Sequence, residues 1–267
     1  MKINLLNRFV FFMSASAILF SLSCKTPSPP PSQAAVNPWD TVSNFKGLII
    51  PADGGTINFQ MNYTFAGSNI VFGSKQYSNA AGDTFTIKEL KHYLTNITLK
   101  RADGSELNLQ NYNLLDAATA STQNFTLTKV PAGNYVGMSV LLAVDSFRNH
   151  SGMQEGALDP GWGLFWTWSS GYIFYRINGA TTASQNYSFD LGGDTNAPKV
   201  TMDLSSYKVK SVAPKITLLM DVNEMFQNPS NFSFKTDGYT IHSGLDAGAA
   251  KMSLNMKDMV TVTGLNP

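Results

Sequence analysis

The densest group of potentially reactive side chains lies between Val144 and Gly179. It holds His150 and three of the four tryptophans, Trp162, Trp166 and Trp168. Imidazole is a common ligand of transition metals, whereas indole offers a broad apolar face with one polar N–H. The sequence from 146 to 163 is polar and glycine-rich. Long loops of this kind are usually functional or disordered, and the tryptophans argue against disorder, so we predict a functional loop.

The four residues that follow this loop, FWTW at 165–168, alternate as in a strand. This alternation predicts Trp166 and Trp168 on one side of the strand and Phe165 on the other. We expect Phe165 and Trp168 to pack in the core, where aromatic side chains supply much of the buried area.

Other candidate ligands are scattered along the chain. His92 lies in a strand-like pattern and is expected to be a hydrogen-bonded histidine rather than a ligand, and His242 is expected to be exposed. Asp190, Asp194 and Asp203 could ligate calcium through carboxylate oxygens, but their spacing is not that of an EF-hand.

Composition excludes several classes of function. Lys and Arg number 19 against 18 Asp and Glu, so the chain lacks the basic surplus of a nucleic-acid binder. The single cysteine excludes a disulfide framework and a cysteine-rich zinc site. The sequence has no HExxH, no GxSxG and no phosphate-binding glycine loop. We therefore expect a binding protein and not an enzyme.

The N-terminus has the pattern of an export signal. Lys2 and Arg8 precede an apolar run from Phe9 to Leu22, which is too short to span a bilayer comfortably. Cys24 follows directly and resembles the acylated cysteine of a bacterial lipobox, which predicts a lipoprotein signal peptide over 1–23. The alternative is an ordinary signal peptide with a stray cysteine.

Residues 24–44 are predicted to be a lipid anchor followed by a linker rich in Pro and Ser. We expect the protein to be extracytoplasmic and held on a membrane by Cys24. The pattern does not distinguish the periplasmic side from the cell surface, because no acidic run follows the cysteine.

Hydrophobic patterning predicts an all-β domain over residues 45–264. Residues 57–65 alternate between apolar and polar with a period of two, and 84–100 forms a second strand or strand pair. Further short strands are predicted at 134–144, 171–177, 187–191, 199–204 and 215–222, and a short C-terminal helix at 247–259. The turn spacing favours an antiparallel β-sandwich with an immunoglobulin-like two-sheet architecture. Met252 and Met256 stand four apart and are expected on the core face of the helix.

A longer composite pattern resembles a known family. It comprises Asp145-Ser146, Asn149-His150, Gly156-Ala157-Leu158-Asp159-Pro160, Gly163-Leu164-Phe165-Trp166-Thr167-Trp168 and Gly171-Tyr172, flanked by Lys91-His92-Tyr93-Leu94-Thr95-Asn96-Ile97 and Met220-Asp221-Val222-Asn223-Glu224-Met225-Phe226. These stretches resemble the MbnP-like family of copper-binding periplasmic proteins, and in particular its lipoprotein members in Bacteroidetes. The likeness covers most of residues 45–262.

The resemblance implies binding of copper, as Cu(I), at a site of histidines. It also implies that one tryptophan is oxidised to kynurenine, whose amine and ketone add a donor that indole lacks, and that a di-haem enzyme of the MauG type performs this oxidation. Carried over residue by residue, the resemblance makes His150 the first candidate ligand. It makes Trp166, Trp162 and Trp168, in that order, candidates for the modified or site-lining tryptophan.

One departure from the family pattern concerns the second ligand. The strand at 187–192 resembles a family stretch with a histidine, but Asp190 stands at that position, and a carboxylate is a poor ligand for Cu(I). The site then binds copper weakly, prefers another metal, recruits His242, or has been lost. We predict a membrane-anchored copper-binding or copper-delivering lipoprotein. The alternative is a recognition module that binds carbohydrate or protein through the loop of Trp162 and Trp166.

Overall fold

A computed structural model describes residues 45–267. The predicted signal peptide, Cys24 and the linker lie outside the described residues, and those assignments stay predictions. The strands are β1 (Gly47–Ile50), β2 (Gly55–Phe65), β3 (Ser68–Asn69), β4 (Gln76–Ser78), β5 (Thr84–Arg101), β6 (Glu106–Asn108), β7 (Tyr112–Asp116), β8 (Asn124–Val130), β9 (Gly133–Leu141), β10 (Phe165–Thr167), β11 (Gly171–Thr181), β12 (Asn186–Gly192), β13 (Lys199–Asp203), β14 (Lys208–Lys210), β15 (Lys215–Asp221), β16 (Thr240–Ile241) and β17 (Val260–Asn266). The helices are α1 (Ser146–Asn149), α2 (Phe234–Asp237) and α3 (Ala247–Asn255).

The described strands form two sheets that pack as a β-sandwich, which confirms the predicted fold class. The larger sheet has the strand order β14-β1-β9-β5-β11-β12-β16. Five further strands pair with its inner strands: β4, β6 and β7 with β5, β10 with β11, and β13 with β9. The smaller sheet has the order β17-β15-β2-β3, with β8 paired to β2. The apolar face of β2 that period two predicted, including Ile57, Phe59 and Met61, is buried between the sheets.

Most strand pairs in the described chain are antiparallel, as predicted, but both sheets also contain parallel pairs. Strand β2 pairs in parallel with β15, β1 with β14, and β12 with β16. Hydrophobic alternation shows which face of a strand is buried, but it carries no information about the direction of its neighbour. Strands this distant in sequence are not joined by a hairpin that would force them to be antiparallel.

The predicted segment at 84–100 is one long strand rather than a pair. Its first half pairs with β11 and its second half with β9, and the register shifts between Thr95 and Thr98. At the bend, Asn96 has a φ of 49°, in the left-handed region. The predicted C-terminal helix is also present, as α3 followed by a 3₁₀ turn at Met256–Asp258, and Met252 and Met256 are buried as expected.

The loop at residues 146–163, called the aromatic loop below, folds back over the outer face of the larger sheet. There it builds a second, smaller apolar cluster in which Leu158 and Leu164 pack with Tyr93, Tyr172 and Phe174 of the sheet. The loop carries α1 and two 3₁₀ turns, Gly156–Leu158 and Pro160–Trp162. The apolar contacts of this cluster hold the loop against the sheet, and the loop covers the outer face of β5 and β11.

His92 connects the two sheets and is hydrogen-bonded, as the sequence predicted. Its Nε2 lies 3.0 Å from the hydroxyl of Tyr63, its Nδ1 lies 3.2 Å from the carbonyl of Tyr93, and its ring stacks on Tyr175. The ring is fully buried. This burial lowers the pKa of His92 to about 4, although the bond to the Tyr93 carbonyl opposes the shift.

Acid should therefore destabilise the fold through His92. The imidazole of His92 binds a proton near pH 6.5 in the unfolded chain but only near pH 4 in the folded chain. The contribution of the neutral His92 to the free energy of unfolding is therefore fully present above pH 6.5 and is lost as the pH falls from 6.5 to 4. The loss should reach about 3 kcal/mol. Urea unfolding between pH 4 and 7 measures it. The variant His92→Gln should show a shallower pH dependence, whereas the control Leu254→Ala, which changes an exposed side chain that does not titrate, should keep the full slope. Equal slopes for the wild type and His92→Gln would contradict this account.

Candidate metal centre

A cavity of about 600 Å³ opens near the end of β12. Its walls come from four separate parts of the chain: the residue after α1, strand β10 with the turn that follows it, the turn after β12, and the segment after β16. Residues from these segments that line it include His150, Trp166, Asp194, Thr195, His242 and Leu245. The sandwich thus brings both exposed histidines of the described chain and one tryptophan to a single cavity.

His150 is held by a carboxylate on one nitrogen. Its Nε2 lies 3.0 Å from Oδ2 of Asp194. The same Oδ2 accepts a hydrogen bond of 2.5 Å from the Ser146 hydroxyl, and Oδ1 accepts one of 2.8 Å from the Asn149 side-chain amide. Burial disfavours the charge of Asp194, but these three donors outweigh it and lower the pKa of its carboxyl. Nδ1 of His150 has no hydrogen-bond partner among residues 45–267.

Asn149 fixes the position of the short helix that carries His150. It is fully buried, and its Oδ1 accepts a hydrogen bond of 2.7 Å from the backbone N–H of Tyr172. Gly171 makes this approach possible, because a Cβ at that position would lie 2.1 Å from the same oxygen. The start of β11 and the end of α1 are therefore locked together beside the cavity.

His242 is held by a second carboxylate in the same manner. Its Nδ1 lies 3.0 Å from Oδ2 of Asp190, and its side chain is exposed, as predicted. Asp190 is only 2% exposed and accepts two hydrogen bonds from the Arg176 guanidinium, 2.6 Å to Oδ1 and 2.8 Å to Oδ2. Arg176 also donates to the carbonyl of Gly163 in the aromatic loop at 3.1 Å. In the described structure, Nε2 of His242 has no hydrogen-bond partner.

Trp166 lies against His242 at the wall of the cavity. The two ring centroids are 5.6 Å apart at an interplanar angle of 71°, an edge-to-face contact. The indole rests on Gly192, where a Cβ would lie 2.6 Å from Cζ3 of the ring. Its Nε1 is buried and has no hydrogen-bond partner among the described residues, which is costly for a polar atom.

The other two candidate tryptophans lie away from this cavity. Trp162 is 56% exposed, donates to the carbonyl of Gly156 at 2.8 Å, and lines a separate cavity of about 340 Å³. Trp168 is 64% exposed and packs over Gly152, so the expectation that it belongs to the core was wrong. The reason is that β10 ends at Thr167 and the chain turns before Trp168. Phe165 does pack against the smaller apolar cluster.

The carboxylates do not assemble a calcium site. Asp190 is paired with Arg176, Asp194 with Ser146 and the residues around it, and Asp203 accepts hydrogen bonds from Ser205. Within residues 45–267, no three His, Cys, Asp or Glu side chains come together as a group that could hold a metal ion. Any ion in the cavity would rely on imidazole nitrogens and a donor of another kind.

Sequence reasoning missed the groups that orient the histidines. Asp194 had been weighed only as a calcium ligand, and Arg176 and Asn149 had no assigned role. The one available signal was an isolated arginine within the apolar strand GYIFYRING, since a charge in a buried strand needs a partner.

The fold and the cavity together define a β-sandwich protein with two carboxylate-oriented histidines and an indole around one opening. A sequence model of the MbnP family matches residues 54–243, and the chain belongs to this family. MbnP from Methylosinus trichosporium is similar in structure, with a TM-score of 0.51 at 16% identity over 78% of this chain and 99% of that one, which shows a shared fold. No curated protein matches the chain.

Proposed function

We propose that this protein binds copper, as Cu(I), or delivers it, without catalysing a reaction. Membership of the MbnP family supports a copper-related role. The observation that carries the proposal is the pairing of each cavity histidine with a carboxylate on one ring nitrogen while the other nitrogen has no partner within the described chain. Histidines that bind metals typically donate their second N–H to a carboxylate in this way.

The donor set suits a soft or borderline ion. Imidazole binds copper well, and neither Asp190 nor Asp194 is free to act as a hard oxygen ligand, because both are engaged by several hydrogen bonds. In this proposal Nδ1 of His150 and Nε2 of His242 hold the ion. Asp190, which stands where the family pattern has a histidine, then orients His242 and does not bind the metal itself.

Trp166 is the tryptophan that we propose as the third element of the site. Of the three tryptophans in the described chain, it is the one that lines the cavity and contacts a histidine. Oxidation to kynurenine would replace one indole carbon by a ketone oxygen and free an aromatic amine as a donor. We propose that a di-haem enzyme of the MauG type carries out this step, as the family resemblance implies.

We further propose that the protein is an extracytoplasmic lipoprotein attached to a membrane through Cys24. The support is the position of this cysteine directly after the apolar run of the N-terminal signal. In residues 45–267, no helix is long and apolar enough to cross a bilayer.

Copper affinity should depend on both histidines. Anaerobic titration of Cu(I) against a chromogenic chelator should show one site in the wild type. His150→Ala and His242→Ala should each weaken it at least about tenfold, the loss expected when a metal site is disturbed. Thr195→Ala, which removes a side chain from the same cavity without removing a nitrogen donor, is the matched control and should bind as the wild type does. Unchanged affinity in both histidine variants would refute the site.

The modification should be visible by mass spectrometry. After proteolysis, the peptide that contains Trp166 should be heavier in protein from the native host than in recombinant protein made without the di-haem enzyme, by one oxygen minus one carbon. The variant Trp166→Phe should lack the change even in the native host. A modification mapped to Trp162 or Trp168 would show that the wrong tryptophan has been chosen.

Membrane attachment should depend on the cysteine. In cell fractionation the wild type should appear with membranes, and Cys24→Ser should appear in the soluble extracytoplasmic fraction, because the acyl chains supply the anchor. Ser23→Ala is a neighbouring control that should keep the attachment. Continued membrane association of Cys24→Ser would contradict lipidation.

A further inference from the structure

A second cavity, of about 620 Å³, shares no lining residue with the cavity of the two histidines. Its walls come from the bend of β5, the connection between β6 and β7, helix α1 and the start of β13. Phe147 and Arg148 of α1 face this cavity, whereas Ser146 and Asn149 of the same helix bond to Asp194 beside the metal centre. The two cavities are therefore distinct.

The one carboxylate of this second cavity is already satisfied. Asp145 accepts hydrogen bonds from the Tyr112 hydroxyl, from the Asn96 amide at 3.0 Å and from the backbone N–H of Arg148 at 3.2 Å. Burial disfavours its charge, but these donors outweigh the burial and lower the pKa of Asp145. It serves as a fixed structural anion whose oxygens have no need of a ligand.

Two cations with spare donors face the same space. The Arg148 guanidinium lies 5.9 Å from the ring centre of Tyr112 and 5.8 Å from that of Phe147, and it uses one N–H on Gln154. Lys199 also lines the cavity, and its backbone pairs with β9, but its side-chain ammonium has neither an ion-pair nor a hydrogen-bond partner within residues 45–267. With two positive charges against one occupied carboxylate, the cavity favours an anionic group.

The remaining walls are suited to a polar ring. Phe147 is 76% exposed, which is unusual for so large an apolar side chain. Asn96 and Gln110 both line the cavity, and both have a positive φ, 49° and 45° respectively, a conformation that costs free energy and often accompanies function. The side-chain amide of Gln110 has no partner in the described structure, so it can donate to and accept from a ligand.

We propose that this cavity binds an acidic saccharide, a sugar ring that carries a carboxylate. The carboxylate contacts Arg148 and Lys199, the ring packs on the exposed face of Phe147, and the hydroxyls bond to the amide of Gln110. The volume lies within the range of ligand sites, about 300–1,000 Å³, and accommodates a disaccharide. A simple anion would use the cations but neither the aromatic face nor the amide.

Isothermal titration calorimetry of the full chain tests this proposal with three probes: digalacturonic acid, the neutral disaccharide galactobiose, and inorganic phosphate. Digalacturonic acid should bind saturably at a single site. Galactobiose should bind about tenfold more weakly, because hydrogen bonds to charged groups are lost. Phosphate should not compete at millimolar concentration.

Variants locate the site and separate it from the copper centre. Lys199→Gln should weaken digalacturonate about tenfold and Phe147→Ala about fivefold, in line with the loss of one charge-assisted bond and one ring contact. The exposed residues Lys88 and Leu254 supply the matched controls Lys88→Gln and Leu254→Ala, which should bind as the wild type does. All four variants should keep wild-type Cu(I) affinity.

Three results would overturn the proposal: no saturable binding of digalacturonate, equal binding of galactobiose, or unchanged affinity in both cavity variants. Competition by phosphate at an affinity equal to that of digalacturonate would replace the saccharide site by a plain anion site. None of these results bears on the histidines, and loss of copper binding leaves this proposal intact.

Discussion

The candidate metal centre depends on one buried ion pair, between Arg176 and Asp190. Asp190 is almost completely buried, and a buried carboxylate stripped of its partner costs about 3 to 5 kcal/mol. The Arg176 guanidinium avoids this cost, because it donates two hydrogen bonds from β11 to the Asp190 carboxylate on β12. It donates a third hydrogen bond to the carbonyl of Gly163. One arginine therefore fixes the sheet, the aromatic loop and the carboxylate on which His242 rests. Because the pair spans adjacent strands, its geometry is set by the sheet and not by a flexible surface loop.

His150, the second histidine of the candidate site, is also oriented by a carboxylate, but it lies on a loop and not beside a strand. His150 sits on a loop, and loops alone position side chains poorly. Here the loop is held by a buried amide, Asn149, which joins the backbone of Tyr172 to Asp194, and by the apolar cluster beneath it. Both imidazoles are thus oriented by a carboxylate that is itself hydrogen-bonded. That arrangement leaves the other ring nitrogen of each imidazole without a partner in the described chain.

Much of the fold could be predicted from the sequence, because burial of one strand face requires alternation. The strand at 57–65, the helix at 247–259 and the hydrogen-bonded His92 all follow from local pattern. The parallel pairing of β2 with β15 could not be predicted, since alternation is independent of direction. The site was predicted in part: His150, Trp166 and His242 were named, but Trp168 was misplaced because the strand ends one residue earlier. Asp194 and Arg176 acquire their roles only through contacts between distant segments, which no local pattern encodes.

Asp190, at the position where the family pattern has a histidine, suggests at first that a metal ligand has been lost, since a carboxylate is a poor ligand for Cu(I). In the structure Asp190 is not among the residues that line the cavity, and Arg176 donates to both of its oxygens. In the proposed site the second imidazole comes from His242, which follows β16 and whose Nδ1 lies 3.0 Å from Oδ2 of Asp190. Asp190 would then orient this imidazole and not bind the ion itself, and the hydrogen bond between them would set the tautomer of His242. The departure from the family pattern is therefore consistent with a rearranged site, and it does not by itself indicate a lost one.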